Sequence, residues 1–205
     1  MPTYIAIIYA SNLNEYSKQE TTHMRKTSAM DSISNGLEAY GIHDIEEMLK
    51  NMHQPRFRAK QIIEWAYKHG MTSYEQMTNI PASLRAELSK TVPFNVPKIV
   101  KKQVSVDGTR KYLIQLNDGC LIETVGIPSY APKHDAEEEN ERLTVCFSTQ
   151  VGCAMKCAFC ATGQQGLTRN LLPGEMVQQL LIVQKDFGVR VSNAVAMGQG
   201  EPFEN

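Results

Sequence analysis

The first half of the chain carries apolar residues at the spacing of an α-helix. Pro55 and Gly70 bound a segment whose apolar positions fall at i, i+3, i+4, i+7 and i+8, which places them on one helix face. These positions are Ala59, Ile62, Ile63, Ala66 and Tyr67. Shorter apolar patterns predict one helix over residues 44–51 and another that begins after Pro81. We therefore expect a small helical domain over residues 36–95.

The pattern changes from helices to strands at about Lys98. Three apolar-rich segments, KIVKKQVSV, KYLIQLN and CLIETVGI, are separated by Asp-Gly pairs at 107–108 and 118–119, which are strong hairpin signals. The sequence therefore predicts a small antiparallel β meander over residues 96–130. The next stretch, residues 131–142, is strongly charged and contains proline, so we expect an exposed loop there.

The last third of the chain alternates between strand and helix patterns. The strand LTVCFS is followed by a cysteine-containing loop, then by a helical apolar stripe that ends at Gly188, and then by the strand NAVAM. The stripe consists of Met176, Leu180, Val183 and Phe187. This order is typical of the opening of a β/α barrel, which we assign to residues 143–205. Residues 1–35 show no sustained period and predict a poorly specified lead-in. The expected fold class is α/β.

Composition and charge limit the classes of partner. With 42% hydrophobic and 21% charged residues, the chain has the composition of an ordinary soluble protein. No apolar run approaches the ~20 residues of a membrane span, and the apolar opening lacks the flank and cleavage site of a signal peptide. We therefore expect a cytoplasmic protein without a membrane partner. The formal net charge of -1 gives no global attraction to nucleic acid, so any RNA site must be local.

Two short stretches are locally basic. PRFRAKQ contains cations with only neutral neighbours, and KIVKKQVSVDGTRKY contains several cations and a single aspartate. The candidate phosphate contacts are Arg56, Arg58 and Lys60 in the first stretch and Lys98, Lys101, Lys102, Arg110 and Lys111 in the second. From charge alone, a solvated surface is the favoured interpretation of both stretches.

Three of the five cysteines are concentrated in the sequence CAMKCAFC. Cys153, Cys157 and Cys160 follow the spacing C-x3-C-x2-C, whereas a structural zinc site ordinarily has four ligands in two pairs. Three thiolates suit a four-iron cluster whose fourth iron is open to a further ligand. A zinc site completed by a distant His or by Cys146 is the alternative. Structural disulfides are not expected, because the chain shows neither a signal peptide nor a dense cysteine framework.

A second motif, AMGQGEP, covers residues 196–202 and follows the strand NAVAM. Gly198 and Gly200 would let the backbone approach a ligand closely, and Glu201 would place a carboxylate at the carboxyl end of a strand. Together with the cysteine spacing one helix earlier, this motif resembles the pair that marks radical S-adenosylmethionine (SAM) enzymes. Phe159 stands where these enzymes carry an aromatic residue, and packing beneath the loop is the simpler explanation for it.

Several segments, taken in order, are similar to the RlmN family of dual-specificity RNA methyltransferases. They are PRFRAKQIIEWAY, MTNIPASLRAEL, DGTRKY, IETVGIP, VCFSTQVGCAMKCAFCATGQQGLTRNL and GQGEP. Members of this family methylate C2 of an adenine in 23S rRNA and in tRNA, and the helical region fits them better than the related Cfr enzymes. The resemblance implies a [4Fe-4S] cluster and SAM as cofactors, 23S rRNA and tRNA as partners, an electron donor such as flavodoxin, and a monomer.

The resemblance also implies roles for individual residues. The cluster ligands would be Cys153, Cys157 and Cys160, and the cofactor-binding residues would be Phe159, Gly198, Gly200 and Glu201. Glu123 matches the proton acceptor of the family, and Cys146 matches the cysteine that forms a transient disulfide during turnover. Without the resemblance, a surface lysine partner for Glu123 and a buried strand position for Cys146 would be the favoured explanations. Cys120 matches no family role.

The catalytic domain of the family is a partial barrel of six β/α units, of which residues 143–205 could supply about two. The resemblance therefore implies a helical accessory domain, a small antiparallel β meander and the first units of a truncated radical-SAM partial (β/α)6 barrel. We expect an N-terminal fragment that lacks the methyl-carrier cysteine of the family and is inactive alone. A non-catalytic RNA-binding or metal-binding fragment is the alternative function.

Overall fold

A computed structural model describes residues 36–131 and 140–205 of the chain. The predicted lead-in and the centre of the predicted charged loop lie outside the described residues. The described N-terminal part contains the α-helices α1 (Ile42–Asn51), α2 (Phe57–Ile63) and α3 (Ala82–Thr91). A π-helical turn over Glu64–Lys68 continues α2, and short 3₁₀ turns cover Leu37–Ala39 and Tyr74–Gln76. The helices predicted from apolar spacing are thus confirmed.

Local sequence explains where these helices begin and how they pack. The Gly41 N–H donates to the Asp44 carboxylate at 2.8 Å, which satisfies a donor that the start of α1 would otherwise leave free. Pro81 directly precedes α3, where its missing N–H and fixed φ are tolerated. The apolar faces of the helices meet in one core around Tyr74, whose hydroxyl donates to the Val92 carbonyl at 2.7 Å. The helical unit therefore has a hydrophobic core of its own.

The described residues beyond this unit form seven strands and two helices. The strands are β1 (Lys98–Val104), β2 (Arg110–Gln115), β3 (Leu121–Ala131), β4 (Asn140–Cys146), β5 (Gln150–Gly152), β6 (Leu167–Asn170) and β7 (Val191–Val195), and the helices are α4 (Ala161–Gln165) and α5 (Pro173–Phe187). One sheet has the order β1-β2-β3-β4-β7, and β5 pairs with β6 in a separate hairpin. Neighbours in the large sheet are antiparallel except β4 and β7, which are parallel. The predicted meander is confirmed as β1–β2–β3.

Helix α5 covers one face of the large sheet. Alternate residues of the central strands are buried against it, among them Tyr112 of β2 and Val145 of β4, which share a core with Val183. Gly126 of β3 permits this close packing, because a Cβ there would lie 2.6 Å from side-chain atoms of both Val183 and Phe187. The second hydrophobic core of the chain therefore lies between the sheet and α5.

The opposite face of the sheet carries the residues that alternate with these buried ones along the same strands. Glu123 and Val125 flank Thr124, whose hydroxyl donates to the Gln179 side chain of α5 at 2.6 Å. Because successive side chains of a strand alternate between faces, Glu123 and Val125 face away from α5. Cys146 pairs in register with Val125 and so shares this face. The predicted site residues of β3 and β4 thus lie together on the face that α5 leaves uncovered.

The architecture is mixed α/β, and the described sheet is open rather than closed into a barrel. The predicted order of strand, loop, helix and strand is confirmed over β4, α5 and β7. The strands on either side of the charged loop are longer than predicted, since β3 extends to Ala131 and β4 begins at Asn140. Polar residues such as Arg142 are paired there through backbone hydrogen bonds, which no apolar pattern in the sequence records.

None of the helices in the described part of the chain combines the length and apolar character that a membrane crossing requires.

Candidate functional site

The three clustered cysteines lie on one loop between β5 and α4. Cys153 directly follows β5, and Cys160 directly precedes α4. The Cys153 N–H donates to the Gly166 carbonyl at 3.0 Å, and the Cys160 N–H donates to the Cys157 carbonyl at 3.1 Å. Lys156 has a φ of 49°, a left-handed conformation that turns the chain between the first two cysteines. The β5–β6 hairpin therefore presents all three cysteines on a single short connection.

The three thiols of this loop differ in exposure. Cys153 is 8% exposed, Cys160 is half-buried and Cys157 is exposed. All the cysteines of the chain carry free thiols. Among the described residues, no three His, Cys, Asp or Glu side chains converge closely enough to hold a metal ion. The loop thus supplies three thiols from one segment, and their side chains do not converge on a common point.

The glycine stretch AMGQGEP is held against the segment that leads into the cysteine loop. The Gly198 N–H donates to the Phe147 carbonyl at 3.0 Å, and the Gln199 N–H donates to the Ser148 hydroxyl at 2.9 Å. In return, the Gln199 carbonyl accepts from the Thr149 N–H at 2.8 Å. The structure therefore places the glycine stretch against residues 147–149, which lead into the hairpin that carries the cysteine motif.

The glycines of this stretch are needed for its contact with the rest of the chain. A Cβ at Gly198 would lie 2.7 Å from the carbonyl carbon of Phe147. Gly200 has a φ of 103°, and a Cβ there would lie 2.7 Å from the backbone nitrogen of Gln150. We expected these glycines to admit a ligand, but their close neighbours are backbone and side-chain atoms of residues 147–150 of the same chain. Their small size is thus explained by packing.

Glu201 and Phe159 differ in how firmly they are held. The Glu201 N–H donates to the Gln150 side chain at 3.0 Å, and the Glu201 carboxylate accepts from the Phe203 N–H at 3.1 Å. This second bond caps a 3₁₀ turn over Pro202–Glu204. Phe159 is 93% exposed, so the simpler explanation that it packs beneath the loop is wrong. Glu201 therefore has a defined backbone position, whereas Phe159 projects from the cysteine loop.

Glu123 forms a buried ion pair on the sheet face that points away from α5. Its Oε1 lies 2.6 Å from the Lys111 Nζ, and the Lys111 and Glu123 side chains are 14% and 9% exposed. Oε2 is also buried, and it has no hydrogen-bond partner among the described residues. The lysine partner expected from sequence exists, but the pair lies inside the protein rather than on its surface. A buried carboxylate with one unsatisfied oxygen is costly and calls for an explanation.

Cys146 ends β4, so the expected strand position is confirmed, but the residue is half-buried rather than buried. Burial raises the pKa of the Cys146 thiol, which favours the neutral form. Val125, its register partner, is two residues from Glu123, so these two site candidates occupy neighbouring positions on one face. Cys120 lies just before β3, where burial and then Asp118 raise its thiol pKa to about 11. Neither cysteine is therefore poised as a thiolate.

Two pairs of polar residues that the sequence did not single out anchor the cysteine hairpin. Gln179 of α5 accepts a hydrogen bond from the Ser148 N–H and donates one to the Ser148 carbonyl, both at 2.9 Å. Arg169 of β6 donates to both carboxylate oxygens of Glu175, each at 2.8 Å. Single polar residues give no periodic signal. Only Glu175 had a local clue, since it stands two residues after the proline that opens a helix.

The two basic stretches are partly engaged in ion pairs. Asp186 of α5 lies 2.9 Å from Lys102 and 2.8 Å from Arg110. Arg56 is paired with Glu46 at 2.7 Å on the exposed surface of the helical unit. With the buried lysine of the Glu123 pair, four of the predicted phosphate contacts thus have carboxylate partners. The other four are Arg58, Lys60, Lys98 and Lys101.

Comparisons with known proteins show what the chain is similar to. Residues 36–93 match the family described as ribosomal RNA large subunit methyltransferase N-terminal domain. A probable dual-specificity RNA methyltransferase RlmN of Picosynechococcus sp. is 44% identical over 162 residues, which cover 79% of this chain and 44% of that protein. A dual-specificity RNA methyltransferase RlmN of Geobacter sulfurreducens is 43% identical over 169 residues, which cover 82% of this chain and 44% of that protein.

A solved structure supports the same relationship. The crystal structure of a radical SAM methyltransferase from Sphaerobacter thermophilus matches with a TM-score of 0.69 and 41% sequence identity, over 83% of this chain and 48% of that chain. The chain spans about half the length of the curated relatives it matches. Because the family match covers residues 36–93 and these relatives are 41–44% identical over about four fifths of the chain, the chain belongs to the RlmN family of radical SAM methyltransferases.

Proposed function

We propose that this chain carries part of the active site of a radical SAM enzyme that methylates C2 of adenine in 23S rRNA and in tRNA. The observation that carries the proposal is the attachment of the glycine stretch to the segment that leads into the cysteine loop. Both elements follow the carboxyl ends of the parallel strands β4 and β7, which is where ligands bind in α/β folds. The names of the relatives, dual-specificity RNA methyltransferases, support RNA methylation, and the family resemblance implies C2 of adenine as the target.

The cysteine loop fits an iron–sulfur cluster by its donor chemistry. It offers three free thiols on one segment, which matches a four-iron cluster with one iron left for a further ligand. The cluster ligands would be Cys153, Cys157 and Cys160. The SAM-binding residues would be Phe159, Gly198, Gly200 and Glu201. When bound, the cluster would supply the electron that activates SAM, with a flavodoxin-type protein as the electron donor.

The residues on the sheet face that points away from α5 would serve the adenine. Glu123 would accept the proton that C2 of the adenine loses on methylation, and Lys111 would hold its carboxylate in position until then. Since Oε2 is buried, this proton transfer requires the Glu123 side chain to turn toward the substrate. Cys146, at the neighbouring position on this face, would form a transient disulfide with the methyl-carrier cysteine of the full-length enzyme. As that S–S bond forms, the bond between the carrier sulfur and the RNA-linked carbon breaks, the carbon keeps the electron pair and takes up a proton, and the methylated RNA is released.

The remaining parts of the chain would support substrate binding. We assign residues 36–95 to an accessory domain, residues 96–130 to a meander and residues 143–205 to the start of a partial (β/α)6 barrel. RNA phosphates would contact the cations of the two basic stretches. We expect a cytoplasmic monomer.

Anaerobic reconstitution of the chain with iron and sulfide tests the cofactor site. We expect iron–sulfur absorbance that is lost on replacement of any one of Cys153, Cys157 and Cys160 by Ala. Cys120→Ala is the matched control and should retain the absorbance, because its thiol has a raised pKa and belongs to the turn before β3 rather than to the cysteine loop. A colourless chain that binds zinc stoichiometrically would contradict the assignment.

The reaction itself is tested in a full-length RlmN-type enzyme that contains this chain. Incubation with SAM, a reductant and unmodified 23S rRNA or tRNA should give 2-methyladenosine, detected by mass spectrometry of digested RNA. If an intact cluster forms and SAM is consumed without a new RNA modification, the substrate assignment is wrong.

A further inference from the structure

Helix α5 contacts both ends of the hairpin that carries the cysteine loop. Gln179 bonds Ser148, which lies two residues before β5, and Glu175 bonds Arg169, which lies on β6. Gln179 and Glu175 are four residues apart, so they are neighbours on one helix face. One face of α5 thus reaches the chain on its way into the hairpin and on its way out.

The contact at the first end is buried and completely satisfied. The Gln179 Oε1 accepts from the Ser148 N–H at 2.9 Å and from the Thr124 hydroxyl at 2.6 Å, while Nε2 donates to the Ser148 carbonyl at 2.9 Å. Gln179 is 1% exposed and Ser148 is 0% exposed. A buried polar network with every partner present favours one geometry strongly, because any displacement leaves unpaired groups away from water.

The contact at the second end is an ion pair with defined geometry. The Arg169 guanidinium donates two parallel bonds of 2.8 Å to Glu175 and one of 2.7 Å from Nε to Asp118. The side chain of Arg169 is 12% exposed and those of its two acidic partners are 5% or less. Bidentate pairing of this kind fixes orientation as well as distance. It ties β6 to α5 and to the turn between β2 and β3.

Ser148 links this arrangement to two other elements of the proposed site. Its hydroxyl donates to the Glu123 carbonyl oxygen at 2.6 Å and accepts from the Gln199 N–H at 2.9 Å. The residue that α5 holds by its backbone therefore holds, through its side chain, the strand of the proposed proton acceptor and the glycine stretch.

We propose that Gln179 and Glu175, with their partners Ser148 and Arg169, form a two-point clamp that sets the position of the cysteine loop relative to the glycine stretch. These are positioning residues, since they act through the hairpin and not on a cofactor directly. The role of the clamp in SAM binding rests on the proposed function, whereas its effect on the stability of the hairpin does not. If the hydrogen bonds of the clamp are removed, a cluster should still form on the three cysteines. SAM binding should be impaired, because it requires a fixed position of the cysteine loop relative to the glycine stretch.

Hydrogen exchange of the chain without added iron tests whether the clamp exists. In Gln179→Leu, amide exchange over residues 150–170 should be at least about tenfold faster, because the Ser148 backbone loses its partner. Gln178→Leu is the matched control: it lies next to Gln179 on the same helix, but its amide donates to the Asn95 carbonyl at 2.8 Å, away from the hairpin. Equal hairpin protection in both variants would overturn the clamp.

Titration of the reduced cluster with SAM, followed by electron paramagnetic resonance, tests the positioning role in the full-length enzyme. At equal iron and sulfide content, Gln179→Leu should need roughly tenfold more SAM for half of the spectral change, which corresponds to about 1.4 kcal/mol. If Gln179→Leu shows faster amide exchange but the same SAM titration curve as the unsubstituted enzyme, the clamp only stabilises the hairpin. That result would overturn its positioning role.

A milder variant keeps the test decisive if Gln179→Leu does not fold. Arg169→Lys retains the charge but not the bidentate geometry, and it should show the same two effects at smaller size. If it shows neither, the clamp is refuted. If the unsubstituted protein forms no iron–sulfur cluster, the proposed function fails, and the exchange experiment still decides whether the clamp exists.

Discussion

The Lys111 ammonium and the Glu123 carboxylate lie 2.6 Å apart, with both side chains largely removed from water. The second oxygen of Glu123 is buried without a hydrogen-bond partner among the described residues. Such a pair matters less for the stability it adds than for the penalty that follows when one partner is removed, because the remaining charge is then buried alone.

Replacement of Lys111 by Met is therefore expected to lower the free energy of unfolding by about 3–5 kcal/mol. The double variant Lys111→Met/Glu123→Met should recover most of this loss, since neither charge then remains buried. Urea unfolding at neutral pH measures both values. A double variant as unstable as the single one would show that packing, rather than charge pairing, is what Lys111 contributes.

Asp186 leads to a prediction in the acid range. Burial alone would raise the pKa of Asp186, but hydrogen bonds from Lys102, Arg110 and Tyr112 outweigh it and lower the pKa to about 2. A lowered folded-state pKa contributes stability above the ordinary value of 3.8 and loses it as the pH falls through about 2. We expect the free energy of unfolding to fall by on the order of 2 kcal/mol across this window.

Urea unfolding between about pH 5 and pH 2 would show this loss, and Asp186→Asn should flatten the curve in the same window. The variant should also be less stable at neutral pH, because its cationic partners lose their carboxylate. A pH dependence unchanged in Asp186→Asn would assign the acid sensitivity to other carboxylates.

Strand β1 lies at the edge of the large sheet and carries three of the predicted phosphate contacts. Lys102 is paired with Asp186, which leaves Lys98 and Lys101 as the candidates on this strand. Replacement of both by Ala should weaken RNA binding by the full-length enzyme and reduce its salt slope by roughly one for each lysine that binds a phosphate. Arg110→Ala should instead lower stability, because Arg110 pairs with Asp186. Fluorescence anisotropy of labelled RNA over a salt series measures the affinity and its salt slope, and urea unfolding measures the stability. An unchanged slope would show that Lys98 and Lys101 are solvated surface residues that do not bind phosphate.

Gly200 and Gly188 allow a matched test of the glycine stretch. Both have positive φ, 103° and 72°, but a Cβ at Gly188 would meet nothing within 4 Å, whereas one at Gly200 would lie 2.7 Å from the Gln150 nitrogen. Gly188→Ala should lower the free energy of unfolding by about 1 kcal/mol through backbone strain alone. Gly200→Ala should lower it by about 3 kcal/mol, because overlap with the backbone adds to the strain. Equal losses would mean that the stretch moves aside at little cost.

Most of the regular elements could be predicted from local patterns. Apolar spacing predicted α1, α2 and α3, and the Asp-Gly pairs predicted the turns of the meander, because helix periodicity and turn chemistry act over a few residues. Element ends were harder to predict. The pairing of Arg142 with Ser129 extends β3 and β4 through backbone hydrogen bonds, which any side chain allows and no hydrophobic pattern records.

The sequence by itself determined the chemistry of the candidate site: the spacing of Cys153, Cys157 and Cys160 specifies a three-thiol donor set wherever the loop lies. Only the tertiary structure decided that Gly198 and Gly200 pack against the chain itself, and that Gln179 holds the cysteine hairpin. The physical reason is that covalent spacing sets which donors share a loop. Contacts between residues 31 or more positions apart, such as Ser148 and Gln179, depend on how the sheet and α5 meet, and no local pattern contains that information.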